Sequence, residues 1–198
     1  LLDEQLKRLD VKHIDIYLVH NLNANHWTRM RDLGLHAFLD EPVKDGRIRH
    51  PAFSFHANLD LFREILDSHA RPAVQIQHNY LDVAYQAGQK GFRLAADRGS
   101  AIVVMEPLRG GFLINNVPAE MREMLQQVRP DWSLADWALR WIWNQPEVWT
   151  VLSGMSAMDQ VEENLRIAAS PTDFGAREEE ALATVRKWFD DHLAVNCT

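Results

Sequence analysis

Short apolar runs alternate with amphipathic stretches along the whole 198-residue chain. That alternation predicts a repeating strand-then-helix plan. The clearest apolar run covers 14–20. Ile and Val alternate there with larger side chains, the run ends on His20, and Asn21-Leu22-Asn23 breaks it. It reads as a buried parallel strand. Met30, Leu33, Ala37 and Phe38 then recur at helical spacing, predicting a helix over 30–43 that Asp45-Gly46 ends. Further strands are predicted at 52–55, 72–77, 101–105 and 149–152. Helices are predicted at 59–68, 86–98, 134–144, 157–169 and 176–193. Gly99 suits a helix C-cap, Ser133 an N-cap, and Ser156 with Asp159 a Ser-x-x-acid helix start. The stretch between Gly111 and Ser133 is a longer insertion.

Strand, loop and helix recur five times, which implies right-handed βαβ units and a parallel sheet. A doubly wound open sheet fits the same count, yet no Gly-x-Gly-x-x-Gly follows any strand. In either architecture the C-terminal strand ends are where ligands bind, which singles out His20. Both ends look cut: 1–9 has helical spacing with no cap before it, and 195–198 stops without a turn.

Composition narrows the function classes. With 46% hydrophobic and 25% charged residues the chain is globular, and one domain is the default. A net charge of −7 argues against nucleic acid as a general partner. No apolar run approaches the roughly 20 residues of a bilayer span, and no leader signal is visible. The lone cysteine, Cys197, allows no internal disulfide and fits a reducing, cytoplasmic setting.

Five loops, taken in order, carry a joint signature. They are Tyr17-Leu18-Val19-His20, Gly46-Arg47-Ile48-Arg49-His50 leading to Phe53-Ser54, and Gln75-Ile76-Gln77-x-Asn79. Glu106-Pro107-Leu108-Arg109-Gly110-Gly111 follows, and then Ser153-Gly154-Met155-Ser156 through Glu162-Glu163-Asn164-Leu165. Together these five loops resemble those of the aldo-keto reductases, and the resemblance implies a (β/α)8 TIM barrel of which this chain holds strands four to eight. Phe53-Ser54-Phe55-His56, Val104-Met105-Glu106-Pro107, Leu152-Ser153-Gly154 and Asn196-Cys197-Thr198 look more narrowly like the subgroup that carries a C-terminal 4Fe-4S ferredoxin-type domain. There Cys197 would be the first ligand of a cluster-binding run. One thiolate does not hold a cluster that needs about four, so the cluster belongs to a full-length protein only.

The family resemblance implies hydride transfer between NADP or NAD and a small-molecule carbonyl, with an Asp, Tyr, Lys and His tetrad. His20 matches the His, which orients the carbonyl while the Tyr donates a proton. No residue here matches the other three, so this chain alone is expected to be inactive. Ser54 and Gln75 match carboxamide-holding positions, although Phe55 stands where Asn is usual. Met105 stands where many relatives place a Tyr stacked on the nicotinamide. Glu106, Pro107, Leu108, Arg109 and Gly111 match the pyrophosphate-side loop. Ser153, Gly154, Met155 and Ser156 match the adenosine-phosphate loop, and Gln160, Glu163 and Asn164 the adenine side. Gly154 and Gln160 are uncharged where NADPH-selective relatives often carry Lys or Arg, so a 2′-phosphate is expected to add little. Arg166, one turn further on, is the residue that would overturn that expectation.

Blander readings stand beside these. Ser54 and Gln75 are equally well satisfied strand residues, and Asn79 a loop cap. Trp132, Trp137, Trp141, Trp143 and Trp149 read as core rather than a substrate cage. The run Glu178-Glu179-Glu180 reads as a solvated face. A metal hydrolase built on His20, His50, His56 and His78 lacks ligand spacing. A non-catalytic, nucleotide-sensing barrel or assembly module is the other alternative, and full-length sequence decides it.

Overall fold

In the computed structural model, residues 1–69, 72–170 and 173–192 are described, and they divide into two compact units. Cys197 lies outside the described residues.

The first unit comprises 1–77 and 84–104. It contains helix α1 (Leu2–Leu9), strand β1 (Ile14–Leu22), α2 (Ala24–Asp32), α3 (Leu35–Lys44), β2 (Ile48–Phe55), α4 (Leu59–Ser68), β3 (Ala73–Gln77), α5 (Gly88–Asp97) and β4 (Ala101–Met105). Strand order follows sequence order, β1 to β4, and β1–β2 and β2–β3 are parallel. Ala101 N–H donates to the Pro72 carbonyl at 2.8 Å where β3 and β4 begin.

Three departures from the sequence pattern matter here. The helix expected over 30–43 is two helices, because Gly34 at φ 80° turns the chain between them. β1 runs past His20 to Leu22 by way of a bulge, with Asn21 at φ 55°. β1 is also only half-buried: Val19 and Leu22 are buried and Leu18 is 36% exposed. A strand reads as fully buried when it has neighbours on both sides. Among the described residues β1 ends the sheet.

Phe53, Phe55 and Phe62 form the aromatic centre of this unit, with ring centroids 4.9 to 6.2 Å apart and every ring buried. Gly91 on α5 lets that helix approach Phe62. A Cβ built there would lie 3.2 Å from the Phe62 ring and 2.5 Å from the Ala87 Cβ. Gly91→Ala is therefore expected to destabilise the protein by about 1–3 kcal/mol through overpacking, read from denaturant midpoints. A stabilised variant would contradict this packing.

The second unit comprises 78–83 and 105–198. It holds α6 (Phe112–Asn115), α7 (Ala119–Val128), α8 (Leu134–Trp143), β5 (Val148–Val151), α9 (Met158–Ala168) and α10 (Ala176–His192). The insertion thus folds as two helices, α6 and α7. Ser133 caps α8 in a reciprocal box with Asp136. α9 starts one residue later than the Ser-x-x-acid pattern implies, with Ala157 at the cap position. Gln160 Oε1 reaches back to accept from Ser156 N–H at 2.9 Å and Ala157 N–H at 3.3 Å.

Trp137 and Trp141 are core, as their spacing suggests, whereas Trp149 is exposed. Trp132 packs edge-on to Trp137 at 5.1 Å. The acidic run is not a uniformly solvated face. Glu178 is buried, accepting from Arg129 Nε at 2.7 Å and Gly175 N–H at 2.8 Å. Burial pushes its carboxyl up, but these donors outweigh burial and hold it below the ordinary range.

Candidate active site

In the first unit three sequence-singled residues lie on adjacent parallel strands, His20 and Ser54 near their C-terminal ends and Gln75 at the middle of β3. Ser54 on β2 is directly in register with Gln75 on β3. On β1 the register runs Val19 to Phe53 and then jumps to Leu22 with Phe55, so His20 and Asn21 together face Ser54. This is the bulge, and an extra residue there re-aims side chains at the strand end. Asn21 N–H donates to Ser54 Oγ at 2.7 Å, which fixes the buried Ser54 hydroxyl and leaves its proton to donate onward. His20 is exposed beside it. Phe55, where the carboxamide-holding Asn was missed, is buried in the aromatic centre.

The second unit holds a cleft of about 420 Å³. One wall is the loop after β4: Glu106, Pro107, Leu108, Gly110 and Gly111. Its backbone is unusual, with positive φ at Glu106 (56°), Arg109 (50°), Gly110 (60°) and Gly111 (85°). Two of these are not glycine, a costly conformation that clusters at ligand-holding loops. The opposite wall is Leu152, Ser153, Gly154, Met155 and Ser156, followed by Gln160, Glu163 and Asn164 of α9. Asn164 Nδ2 donates to Ser153 Oγ at 2.9 Å, joining loop to helix. A Cβ on Gly154 would meet nothing within 4 Å, so the approach to that backbone is open.

Arg109 and Met105, which the family resemblance matches to cofactor positions, are not in the cleft lining. Arg109 is drawn to Asp82, with Nε 3.3 Å from Oδ2, and lies over the Phe112 ring. Met105 is half-buried, and its carbonyl accepts from His78 N–H at 3.1 Å. Asn79 is a buried loop cap: Oδ1 accepts from Leu81 and Asp82 N–H, and Nδ2 donates to the Glu106 carbonyl at 3.2 Å. His78 is buried against Trp141 and Gln145. Among the described residues no group of three or more His, Cys, Asp or Glu is placed to hold a metal ion.

Sequence reasoning missed Ile114, Asn115 and Ala135, which also line the cleft. It also missed the adjoining Asp136. This carboxylate, wholly buried, accepts from Ser133 N–H (3.1 Å), Ser133 Oγ (3.0 Å), Arg140 Nε (3.0 Å) and Arg166 Nη2 (2.6 Å). Burial raises its pKa, but the bonds from Arg166, Ser133 and Arg140 outweigh that and hold it below the ordinary range. Ser133-x-x-Asp136 and Asp136-x-x-x-Arg140 were visible spacings. The Arg166 partner was not.

The family model described as "Aldo/keto reductase family" matches residues 1–174. A curated relative, the NADH-specific methylglyoxal reductase of Escherichia coli (strain K12), is 28% identical over 210 residues, covering 91% of this chain. The chain spans 63% of that relative's length. Among solved structures, aldo-keto reductase AKR11C1 from Bacillus halodurans (apo form) aligns at TM-score 0.74 and 23% identity. The alignment covers 93% of this chain and 66% of that one. Glycerol dehydrogenase AKR11B4 from Gluconobacter oxydans aligns at TM-score 0.73 and 16% identity, over 100% of this chain and 64% of that one. At these identities the structures establish the fold, part of a (β/α)8 barrel. No described helix is long and apolar enough to cross a membrane.

Proposed function

Because the chain belongs to the aldo/keto reductase family, we propose that the full-length protein reduces a small carbonyl compound with NADH or NADPH in the cytoplasm. The observation that carries this is the cleft, where the strained glycine loop after β4 and the loop into α9 face each other. Its volume is within the roughly 300–1,000 Å³ typical of small-ligand sites. Its chemistry suits the adenosine half of a dinucleotide. Open Gly154 backbone allows close approach, and the Ser153 hydroxyl, Asn164 amide and Glu163 carboxylate offer partners for ribose and adenine.

Bound dinucleotide supplies the hydride that adds to the carbonyl carbon. Ser54 and Gln75, in register on neighbouring strands, hold the nicotinamide carboxamide, with the Ser54 hydroxyl kept in place by Asn21 N–H. Met105 would offer its thioether to a bound nicotinamide. Glu106, Pro107, Leu108, Arg109 and Gly111 form the pyrophosphate-side loop, Arg109 through its backbone because its side chain is committed to Asp82. His20 donates a hydrogen bond to the carbonyl oxygen, stabilising the negative charge that builds there. The proton comes from a Tyr outside this chain. We extend the proposal to the 4Fe-4S subgroup, with Cys197 supplying one thiolate and the remaining thiolates lying elsewhere in the full-length protein. Iron and acid-labile sulfide in that protein test this part separately.

The main test is oxidation of NADH and NADPH by the full-length protein with a short dicarbonyl such as methylglyoxal. Turnover is expected there and none from residues 1–198 alone. Absence of turnover and of dinucleotide binding in the full-length protein would sink the reading.

A further inference from the structure

We infer that Asp136 selects the cofactor without touching it: by holding Arg166 away from the cleft, it makes the cleft take NADH in preference to NADPH. The inference rests on the dinucleotide reading of the cleft and asks which dinucleotide.

The residues lining the cleft include two that are charged, Glu106 and Glu163, and both are acidic. A 2′-phosphate adds negative charge to that surface, whereas a ribose 2′-hydroxyl can donate to a carboxylate. The N–H groups at the start of α9 would otherwise favour an anion. Gln160 already occupies two of them, at Ser156 and Ala157.

What remains is the nearest guanidinium on the same helix. Arg166 lies three residues beyond Glu163, about 4.5 Å along the axis, and is half exposed. Released, it could swing toward the cleft mouth and pair with a phosphate. It is not free to do so. Both of its terminal nitrogens face Asp136, at 2.6 and 3.4 Å, across the gap from α9 to α8. Asp136 is itself held by the Ser133 cap and by Arg140. A wholly buried carboxylate loses more on giving up a guanidinium than a phosphate at a water-facing cleft gains by taking it. Of the arginines beside the cleft, Arg109 is committed to Asp82, and Arg122 donates to the Val117, Ile114 and Asn115 carbonyls.

Equilibrium titration of the full-length protein by calorimetry, with NADH and NADPH as the probes, tests this without reference to turnover. Wild type is expected to bind NADH more tightly, by about tenfold. Arg166→Leu should leave the ratio of the two affinities unchanged. Asp136→Asn should raise NADPH affinity relative to NADH by about tenfold, and the Asp136→Asn/Arg166→Leu double variant should cancel that gain. A merely structural role for Asp136 would weaken both nucleotides alike. If Asp136→Asn does not fold, Arg166→Leu decides alone: a selective loss of NADPH affinity overturns the inference, and an unchanged ratio upholds it. Tighter NADPH binding by wild type also overturns it. Binding of neither nucleotide to wild type instead removes the reading on which it rests.

Discussion

His20→Ala in the full-length protein is expected to lower kcat by about 10²–10³-fold, or roughly 2.7–4 kcal/mol, the usual consequence of removing one donor to a developing oxyanion. Dinucleotide affinity should stay nearly constant, because the cleft residues belong to a different part of the chain. His20 is exposed at the C-terminal end of β1, so the substitution removes no core packing. Such surface changes typically alter stability by no more than about 0.5 kcal/mol. The bulge at His20 and Asn21 is held by the Asn21 N–H to Ser54 bond, which uses backbone and survives the change. His20→Gln keeps a donor on a side chain of similar reach and should recover part of the loss. Steady-state kinetics with a short dicarbonyl check this, and full activity in His20→Ala would remove His20 from the site.

Arg129→Met is expected to destabilise the protein by about 3 kcal/mol at neutral pH. That is the low end of the roughly 3–5 kcal/mol for breaking a buried ion pair, because Arg129 is itself partly exposed. The variant leaves Glu178 buried, with Gly175 N–H as a remaining donor. The sign with pH follows from Glu178. In wild type its carboxyl is held below the ordinary value, so its contribution is present above the unfolded value, about 4.3, and is lost as pH falls through the folded value. Without Arg129, burial dominates and the folded value rises. The variant then escapes its penalty by taking up a proton. The stability gap between the two proteins should therefore be widest near neutrality and narrow below about pH 5. Urea midpoints measured across that range decide it, and a gap independent of pH would mean that Glu178 is not the partner that matters.

Much of the architecture was written in local pattern. The apolar runs marked every strand, the Gly110-Gly111 pair marked the loop that the cleft needs, and Ser133 marked the start of α8. These are legible because strand and helix periodicities repeat within a few residues, and a cap acts within one turn. Tertiary structure alone decided the rest. Glu178 stands in an acidic run that locally looks solvated, and its burial depends on Arg129, 49 positions away. Arg166 looked available to a phosphate, and a buried carboxylate 30 residues earlier holds it. Arg109 sits in the cleft-forming loop by sequence, yet its side chain is drawn back to Asp82. β1 reads as a fully covered strand and is half-covered, because coverage is a property of its neighbours. In each case the local spacing fixes where a side chain begins, and which charge it meets is set by elements brought together only when the chain folds.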